Sequence, residues 1–430
     1  MLIPSLDISR GKAVQLRQGR EKVIERDDPL ALARDFSRFG EIAVIDIDAA
    51  VGKGDNENLV SELCRQFECR VGGGIRSADK AGRLVQLGAS KIIVGTRAFE
   101  QNGVNREFLS ELAAAVGRER IIIALDNFLG KIVVDGWKTK TGLDVESIIG
   151  EAEPYASEFL LTRVEREGLM GGTDMNAVRN VISATRLPVT AAGGVSSLAE
   201  IEELAALGAS VQLGMALYTG AVSIEDAFAA SVDWKKGDGL VPTVVQDTTL
   251  QVLMVAWSSP ESLKRTFASG KAWYFSRSRG KLWMKGESSG HTQDFIKARV
   301  DCDGDSLLLT VRQEGSACHT GKYSCFGDKL FSPGELFGVI QERLANPVPG
   351  SYTASVTEER AREKILEEAG ELAEAREEDE IVWEAADLLY FICLLLARKG
   401  IPLEDIYSEL RRRRRSQLRP VPEDKKGEEA

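Results

Sequence analysis

The sequence predicts a multidomain protein: a (β/α)8 barrel, then a β-rich α+β metal-binding domain, then an all-α domain. Three observations carry this. The chain has 430 residues, beyond the roughly 250–300 at which one hydrophobic core stops growing. Its first half alternates short apolar runs with helical stretches. The texture then changes twice, near residue 231 and after the Pro- and Gly-containing stretch 346–352. The expected domains are therefore 1–230, 231–335 and 345–420.

In the first domain eight apolar runs read as strands: Leu2–Leu6, Ile42–Ile47, Cys69–Val71, Lys91–Val94, Ile121–Leu125, Phe159–Leu161, Pro188–Ala191 and Ser210–Leu213. Each is continuous rather than alternating, as expected of strands covered on both faces. Strands separated by helices imply a parallel sheet, and eight in about 230 residues fit a (β/α)8 barrel. An internal repeat supports this. Gly73-Gly74-Ile75 with Leu87-Gly88-Ala89-Ser90 returns 120 positions later as Gly193-Gly194-Val195 with Leu207-Gly208-Ala209-Ser210. Leu6-Asp7 with Gly11-Lys12 returns 119 positions later as Leu125-Asp126 with Gly130-Lys131. The barrel is a doubled half-barrel.

Residues 232–331 are strand-rich and dense in Gly, Trp, Ser and Cys, with few long helical periods. The stretch 346–352 reads as a linker, because Pro fixes φ and Gly frees it. Beyond Thr357 helices are expected over Arg360–Glu377, Asp379–Lys399 and Leu403–Leu418, the second stopped by Gly400 and Pro402. The run Arg411–Arg415 suits a solvated helix end that complements the C-terminal dipole, and the last residues read as frayed.

Composition excludes several classes. Lys+Arg 55 against Asp+Glu 66 gives a net charge of −11, so the chain has no generic attraction for nucleic acid or an anionic membrane. Hydrophobic residues at 43% and charged residues at 28% rule out wholesale disorder. The longest apolar run, Leu388–Ala397, is well short of the ~18 residues a membrane span needs. No targeting segment is visible, so a cytoplasmic protein is expected. Six cysteines are too few for a disulfide scaffold, and the proximity of Cys302, Cys318 and Cys325 suggests metal instead.

Barrel catalytic groups sit at the C-terminal ends of strands. Asp7 and Asp126 end the first and fifth, so the repeat sets two carboxylates on opposite sides of one mouth. Such a pair can divide acid and base work; the plainer alternative is that each caps its loop. Gly73, Gly74, Gly193 and Gly194 follow the third and seventh strands; Gly95-Thr96 and Gly214 follow the fourth and eighth. Glycine lets backbone N–H groups approach a phosphate. Two such sites related by the repeat suggest a substrate with a phosphate at each end; otherwise the glycines are tight turns.

The segments Ile3-Pro-Ser-Leu-Asp7, Gly72-Gly-Gly-Ile-Arg76-Ser77, Gly95-Thr-Arg-Ala98, Ala124-Leu-Asp126, Ala191-Ala-Gly-Gly194 and Leu213-Gly-Met-Ala-Leu-Tyr218 resemble the phosphoribosylformimino-aminoimidazole carboxamide ribotide isomerases of histidine biosynthesis, over essentially all of residues 1–230. The resemblance implies an Amadori rearrangement of an aminoaldose to an aminoketose. Asp7 would be the base at the sugar carbon and Asp126 the acid at the ring oxygen, with Thr162 matching a sixth-strand threonine and Arg76 lying in a phosphate-binding motif. Three positions depart: Glu167 stands where Asp is usual, Gln15 where many members carry Arg, and Met215 where a basic residue is common.

In the middle domain Asp301-Cys302-Asp303-Gly304-Asp305 is the densest feature. If extended, it points three Asp side chains to one face and Cys302 to the other. Carboxylate oxygens suit Mg²⁺ and thiolates suit Zn²⁺. Three protein ligands plus a water make an open zinc site that lowers the water's pKa to ~7. With Asp238-Gly-Leu-Val-Pro242, Ser276-Arg277-Ser-Arg279, Leu282-Trp-Met-Lys-Gly-Glu287 and Ala317-Cys-His-Thr-Gly321, the segment resembles phosphoribosyl-AMP cyclohydrolase. The resemblance implies hydrolytic opening of the N1-alkylated adenine ring between N1 and C6. It also implies zinc at Cys302, Cys318 and Cys325, magnesium at Asp301, Asp303 and Asp305, His319 as proton shuttle, phosphate contacts from Arg277 and Arg279, and a homodimer with the site between subunits.

In the tail, Glu367 and Glu371 share a helix face that Glu368 borders, and Glu384 and Asp387 are three apart on the next helix. Like charges on facing helices repel unless a cation lies between them, which suggests Mg²⁺ for a polyphosphate; the alternative is an acidic solvated face. The spacing Lys364-x-x-Glu-Glu-x-x-Glu371 followed by Glu384-x-x-Asp387 resembles phosphoribosyl-ATP pyrophosphohydrolase, implying water attack on the α–β phosphoanhydride. Read from the C-terminus, the three resemblances are consecutive steps on phosphoribosyl-nucleotide substrates. The chain is expected to be a trifunctional enzyme; the rival is a bifunctional cyclohydrolase and pyrophosphohydrolase whose barrel is a silent scaffold or dimerisation module.

Overall fold

The computed structural model describes residues 1–415; the last three residues of the helix expected over Leu403–Leu418, and the end of the 345–420 domain, lie outside them. The chain divides into two compact units. One is built chiefly from Met1–Val245 and Val255–Gly315, the other from Gln246–Met254 and Ser316–Leu410.

The first unit contains the barrel. Its strands are β1 (Leu2–Ser9), β2 (Ile42–Asp46), β3 (Cys69–Gly72), β4 (Lys91–Val94), β5 (Ile121–Phe128), β6 (Glu158–Arg163), β7 (Val189–Ala192) and β8 (Ser210–Leu213). Every neighbouring pair is parallel, and β4–β5 and β8–β1 pairing closes the cylinder. Inside, Ile93, Ile122, Ala124, Leu160 and Ala192 pack together with Ile45. The N-terminal end is plugged by ions: Arg70 bonds Glu41 and Glu158, Lys91 reaches Glu158 at 2.7 Å, and the Thr190 hydroxyl donates to Glu158 at 2.6 Å. A buried carboxylate with three donors is one whose desolvation is compensated.

Two antiparallel hairpins extend β1 and β5. The arms Lys12–Arg17 and Glu21–Arg26 follow β1, and Lys131–Val134 and Thr139–Asp144 follow β5. Both start with a two-residue turn whose centres are left-handed, Arg10-Gly11 and Leu129-Gly130, the geometry that suits strand twist. Three of these arms are mixed in polarity and leave no apolar run; Lys131–Val134 is such a run, but it is not among the eight read as strands. The repeat also reaches the backbone: Gly95 and Gly214 have φ,ψ of −118°, −93° and −119°, −93°.

After the barrel's last helix, Ile224–Ala230, comes a four-stranded sheet in the order Val252–Ser258, Val241–Gln246, Leu307–Gln313, Gln293–Val300. Alternate residues are buried in Val241–Gln246 and Leu307–Gln313, the period expected of a sheet with one covered face. The middle segment is less purely strand-like than its composition implies. A ten-residue helix, Pro260–Ser269, opens on a capping box formed by Ser259 and Ser262. The sheet meets the barrel through Phe39, Phe228, Phe267 and Phe295, whose ring centroids lie 5.1–6.1 Å apart. Arg299 donates to the carbonyls of Ser37 and Arg38 at 3.0 and 3.3 Å.

The second unit is largely helical: Pro333–Ala345, Glu358–Glu374, Glu378–Arg398 and the start of Leu403–Arg415. Its core is Phe337, Ile340, Val356, Ala361, Phe391, Cys393 and Leu394. The helix expected to reach Glu377 stops at Glu374, where Ala375 caps it. No helix among the described residues is long and apolar enough to cross a membrane.

Candidate active sites

The C-terminal mouth of the barrel opens into a cavity of about 250 Å³. Asp7, Asp126, Thr162, Gly73, Gly74, Arg76, Gly95, Thr96, Gly193, Gly194 and Gly214 all line it. Asp7 projects from β1 and accepts a 3.0 Å bond from the Ser5 hydroxyl. Burial pushes its carboxyl up to about 6, with Ser5 pulling it down. Asp126 is raised by burial against the opposing bonds from Trp137 and Thr162. The Trp137 indole N–H donates to its Oδ2 at 2.9 Å, and parallel register puts Thr162 beside Asp126.

The glycine turns bring backbone to the cavity wall. A Cβ on Gly74 (φ +62°) would stand 2.2 Å from the Ala49 carbonyl oxygen, and one on Gly194 (φ +86°) would stand 2.6 Å from that of Gly172. The guanidinium of Arg76 is occupied locally, donating to the Ala49 and Ala50 carbonyls at 3.2 and 2.8 Å. Thr96 Oγ1 accepts the Asp135 N–H at 2.9 Å.

Three residues gain a place that sequence reasoning did not give them. Glu167 lines the same cavity, and burial, then the charges of Asp7 and Asp126, push its carboxyl up to about 8. Gln15 is 2% exposed and lines the cavity, its Nε2 without a hydrogen-bond partner among the described residues. Trp137, from the second hairpin, packs where a Cβ on Gly19 of the first would meet its ring at 2.8 Å. The repeat aligns the hairpins, but only the fold shows that they meet over the mouth.

In the β-rich part of the first unit, Asp301–Asp305 is a turn, so the face argument that holds for an extended segment does not apply; Gly304 takes φ +82°. The turn still gathers Asp301, Asp303 and Asp305, whose oxygens lie within 4.8 Å of one another. Cys302 is not thrown to the far face: its Sγ is 4.0 Å from Asp303 Oδ1. Arg277 stacks over Trp257 at 4.0 Å, and Arg279 Nε bonds Ser276 Oγ at 3.1 Å. Cys318, His319 and Cys325 belong to the second unit. The Cys318 thiol is lowered, chiefly by its 3.1 Å contact with Thr320 Oγ1, and lies 3.9 Å from His319 Nδ1.

Also in the second unit, Glu368, Glu371 and Glu384 come together from two helices, within 4.8 Å. The expected faces are altered. Glu368 is 4% exposed; Lys364 reaches both it and Glu367 at 2.8 Å, and Arg360 lies 3.7 Å from Glu367. Asp387 stands outside that trio yet helps raise Glu384, after burial and the charge of Glu371. Both trios are hard-oxygen donor sets that suit Mg²⁺, and thiolates suit Zn²⁺.

Residues 1–223 match the family described as histidine biosynthesis protein. The chain belongs to that family. Residues 254–327 match phosphoribosyl-AMP cyclohydrolase and 334–414 match phosphoribosyl-ATP pyrophosphohydrolase. A histidine biosynthesis bifunctional protein HisIE of Pyrococcus furiosus is 43% identical over 201 residues, which are 43% of this chain and 96% of the relative. An imidazole-4-carboxamide isomerase of Methanocaldococcus jannaschii is 33% identical over 234 residues, 53% of this chain and 97% of the relative. A similar isomerase of Methanopyrus kandleri is 37% identical over 229 residues, 51% and 93%. The bifunctional relatives cover only part of this chain. This member of the family is therefore an enzyme that joins two hydrolase domains to an isomerase-like barrel.

Proposed function

We propose that the chain performs three consecutive steps of histidine biosynthesis: hydrolysis of phosphoribosyl-ATP to phosphoribosyl-AMP and pyrophosphate, opening of the adenine ring, and isomerisation of the resulting aminoaldose to the aminoketose. The observation that carries the third step is a single cavity holding Asp7, Asp126 and both repeat-related glycine turns. In that cavity Asp7, ionised above about pH 6, takes the proton from the sugar carbon. Asp126 holds its proton more readily than an ordinary Asp and delivers it to the ring oxygen, with Trp137 and Thr162 fixing its orientation. Gln15 Nε2 is a neutral donor for a phosphate oxygen.

For ring opening, Cys302, Cys318 and Cys325 would hold Zn²⁺, Asp301, Asp303 and Asp305 would hold Mg²⁺, His319 would move a proton, and Arg277 and Arg279 would contact phosphate. For pyrophosphate release, Glu368, Glu371 and Glu384 would hold Mg²⁺, with Glu367 and Asp387 beside them. The metals supply water activation and charge neutralisation. The domains we assign are 1–230, 231–335 and 345–420. A homodimer follows from the cyclohydrolase likeness, and a cytoplasmic place from the want of a targeting segment in the sequence.

A second reading keeps the hydrolases and silences the barrel. It draws on Gln15, Glu167 and Met215, and also on Arg76, a cavity-lining cation bonded to carbonyls. The two are separated by incubating the full chain with phosphoribosyl-ATP, Mg²⁺ and Zn²⁺ and identifying the end product. The aminoketose, with Asp126→Asn halting at the aminoaldose, supports the trifunctional enzyme. A wild-type chain that halts at the aminoaldose supports the silent barrel.

A further inference from the structure

The segment that leaves the barrel is fastened to the Asp301–Asp305 turn. The Asp233 N–H donates to the Gly304 carbonyl at 2.7 Å. Asp233 Oδ1 accepts the N–H groups of Lys235 and Lys236 at 3.1 and 3.3 Å, and the Gly239 N–H closes the turn on the Trp234 carbonyl at 2.8 Å. This fixed backbone delivers one side chain to the carboxylates. Lys236 Nζ lies 2.9 Å from Asp303 Oδ2, 3.3 Å from Asp305 Oδ2 and 3.0 Å from the Asp303 carbonyl. Asp301 Oδ1 is used within the turn by the N–H groups of Asp305 and Ser306. The ammonium thus engages oxygens that a divalent cation at this trio would need.

We propose that Lys236 is an internal counter-ion of the Asp301, Asp303 and Asp305 set, holding the carboxylates together without a cation and yielding its place when one binds. Three carboxylates whose oxygens lie within 4.8 Å repel one another at close range, and an ammonium offsets that repulsion. A dication bound to the same oxygens meets the ammonium as a like charge, so both cannot hold them. Metal occupancy is thereby felt at the segment joining the barrel to the next domain. The inference rests on reading this trio as a cation site. A lysine acting only as structural support makes the opposite forecast: its loss would loosen the turn and weaken cation binding.

The test is a Mn²⁺ titration of the metal-stripped full chain, with free Mn²⁺ followed by electron paramagnetic resonance and Glu371→Gln/Glu384→Gln present to silence the helical trio. Adding Asp303→Asn identifies which binding belongs to the turn. Lys236→Met is expected to tighten that binding roughly threefold to tenfold, and Lys236→Arg to leave it near wild type. Unchanged or weaker binding in Lys236→Met, with Asp303→Asn still abolishing it, overturns the counter-ion role alone. Binding indifferent to Asp303→Asn overturns the cation site and the inference with it.

Discussion

At the scale of single residues the barrel mouth is governed by how burial distributes protons among three carboxyls. In the proposed isomerisation Asp7 must be ionised to act as base, so that rate is expected to climb as pH rises through about 6, measured on the purified aminoaldose. Asp126→Asn should lower kcat by ~10²–10⁴, the usual worth of a positioned acid. Glu167 behaves differently. Its folded carboxyl is raised to about 8, above the ~4.3 of an unfolded glutamate. Between those values the folded chain keeps a proton that the unfolded chain has released, so stability falls as pH climbs through the window. Above about 8 a further negative charge enters the cavity that we propose takes two phosphates. Glu167→Gln should therefore flatten the decline of melting temperature with pH and lower the aminoaldose KM at pH 9 relative to wild type. Equal KM values would show that Glu167 does not face the phosphates.

At the scale of elements the two hairpins matter most. Gly19 (φ +65°) leaves room for the Trp137 ring, which a Cβ would meet at 2.8 Å. Gly19→Ala should push the indole from Asp126 and cost isomerase turnover severalfold, while pyrophosphate release stays at the wild-type rate; both can be read on one preparation. The helix Pro260–Ser269 depends on its capping box, and Ser259→Ala should cost about 1 kcal/mol in a denaturant titration. The hairpins and this helix were poorly legible in sequence for one reason. Three of the four hairpin arms and the helix mix polar with apolar residues, whereas most barrel strands, covered on both faces, write their positions as apolar runs.

At the scale of the molecule, the barrel and the sheet that follows share an aromatic cluster. Phe39 and Phe228 are 2% and 1% exposed, and rings from both parts meet there. Phe39→Ala should cost roughly 3–5 kcal/mol, seen by calorimetry as a lower melting temperature of the unit that carries both. Chelation of divalent cations should stop pyrophosphate release and ring opening, yet leave isomerisation of added aminoaldose intact, because both carboxylate trios proposed as metal sites lie outside the barrel cavity.

The sequence alone determined the doubled eight-stranded barrel and the order of the three parts. It also marked Asp7 and Asp126, because strand burial, repeat offsets and the position of a residue at a strand end are properties of the linear pattern. Tertiary structure decided what lies across from what. It set Glu167 among the aspartates, Trp137 on Asp126, Glu368 rather than Glu367 with Glu371 and Glu384, and Lys236 on Asp303 and Asp305. Apart from Glu368 with Glu371, one helical turn apart, these pairings join residues whose separation along the chain carries no periodic signal. Their energy comes from burial and charge at close range, which exist only once the chain has folded.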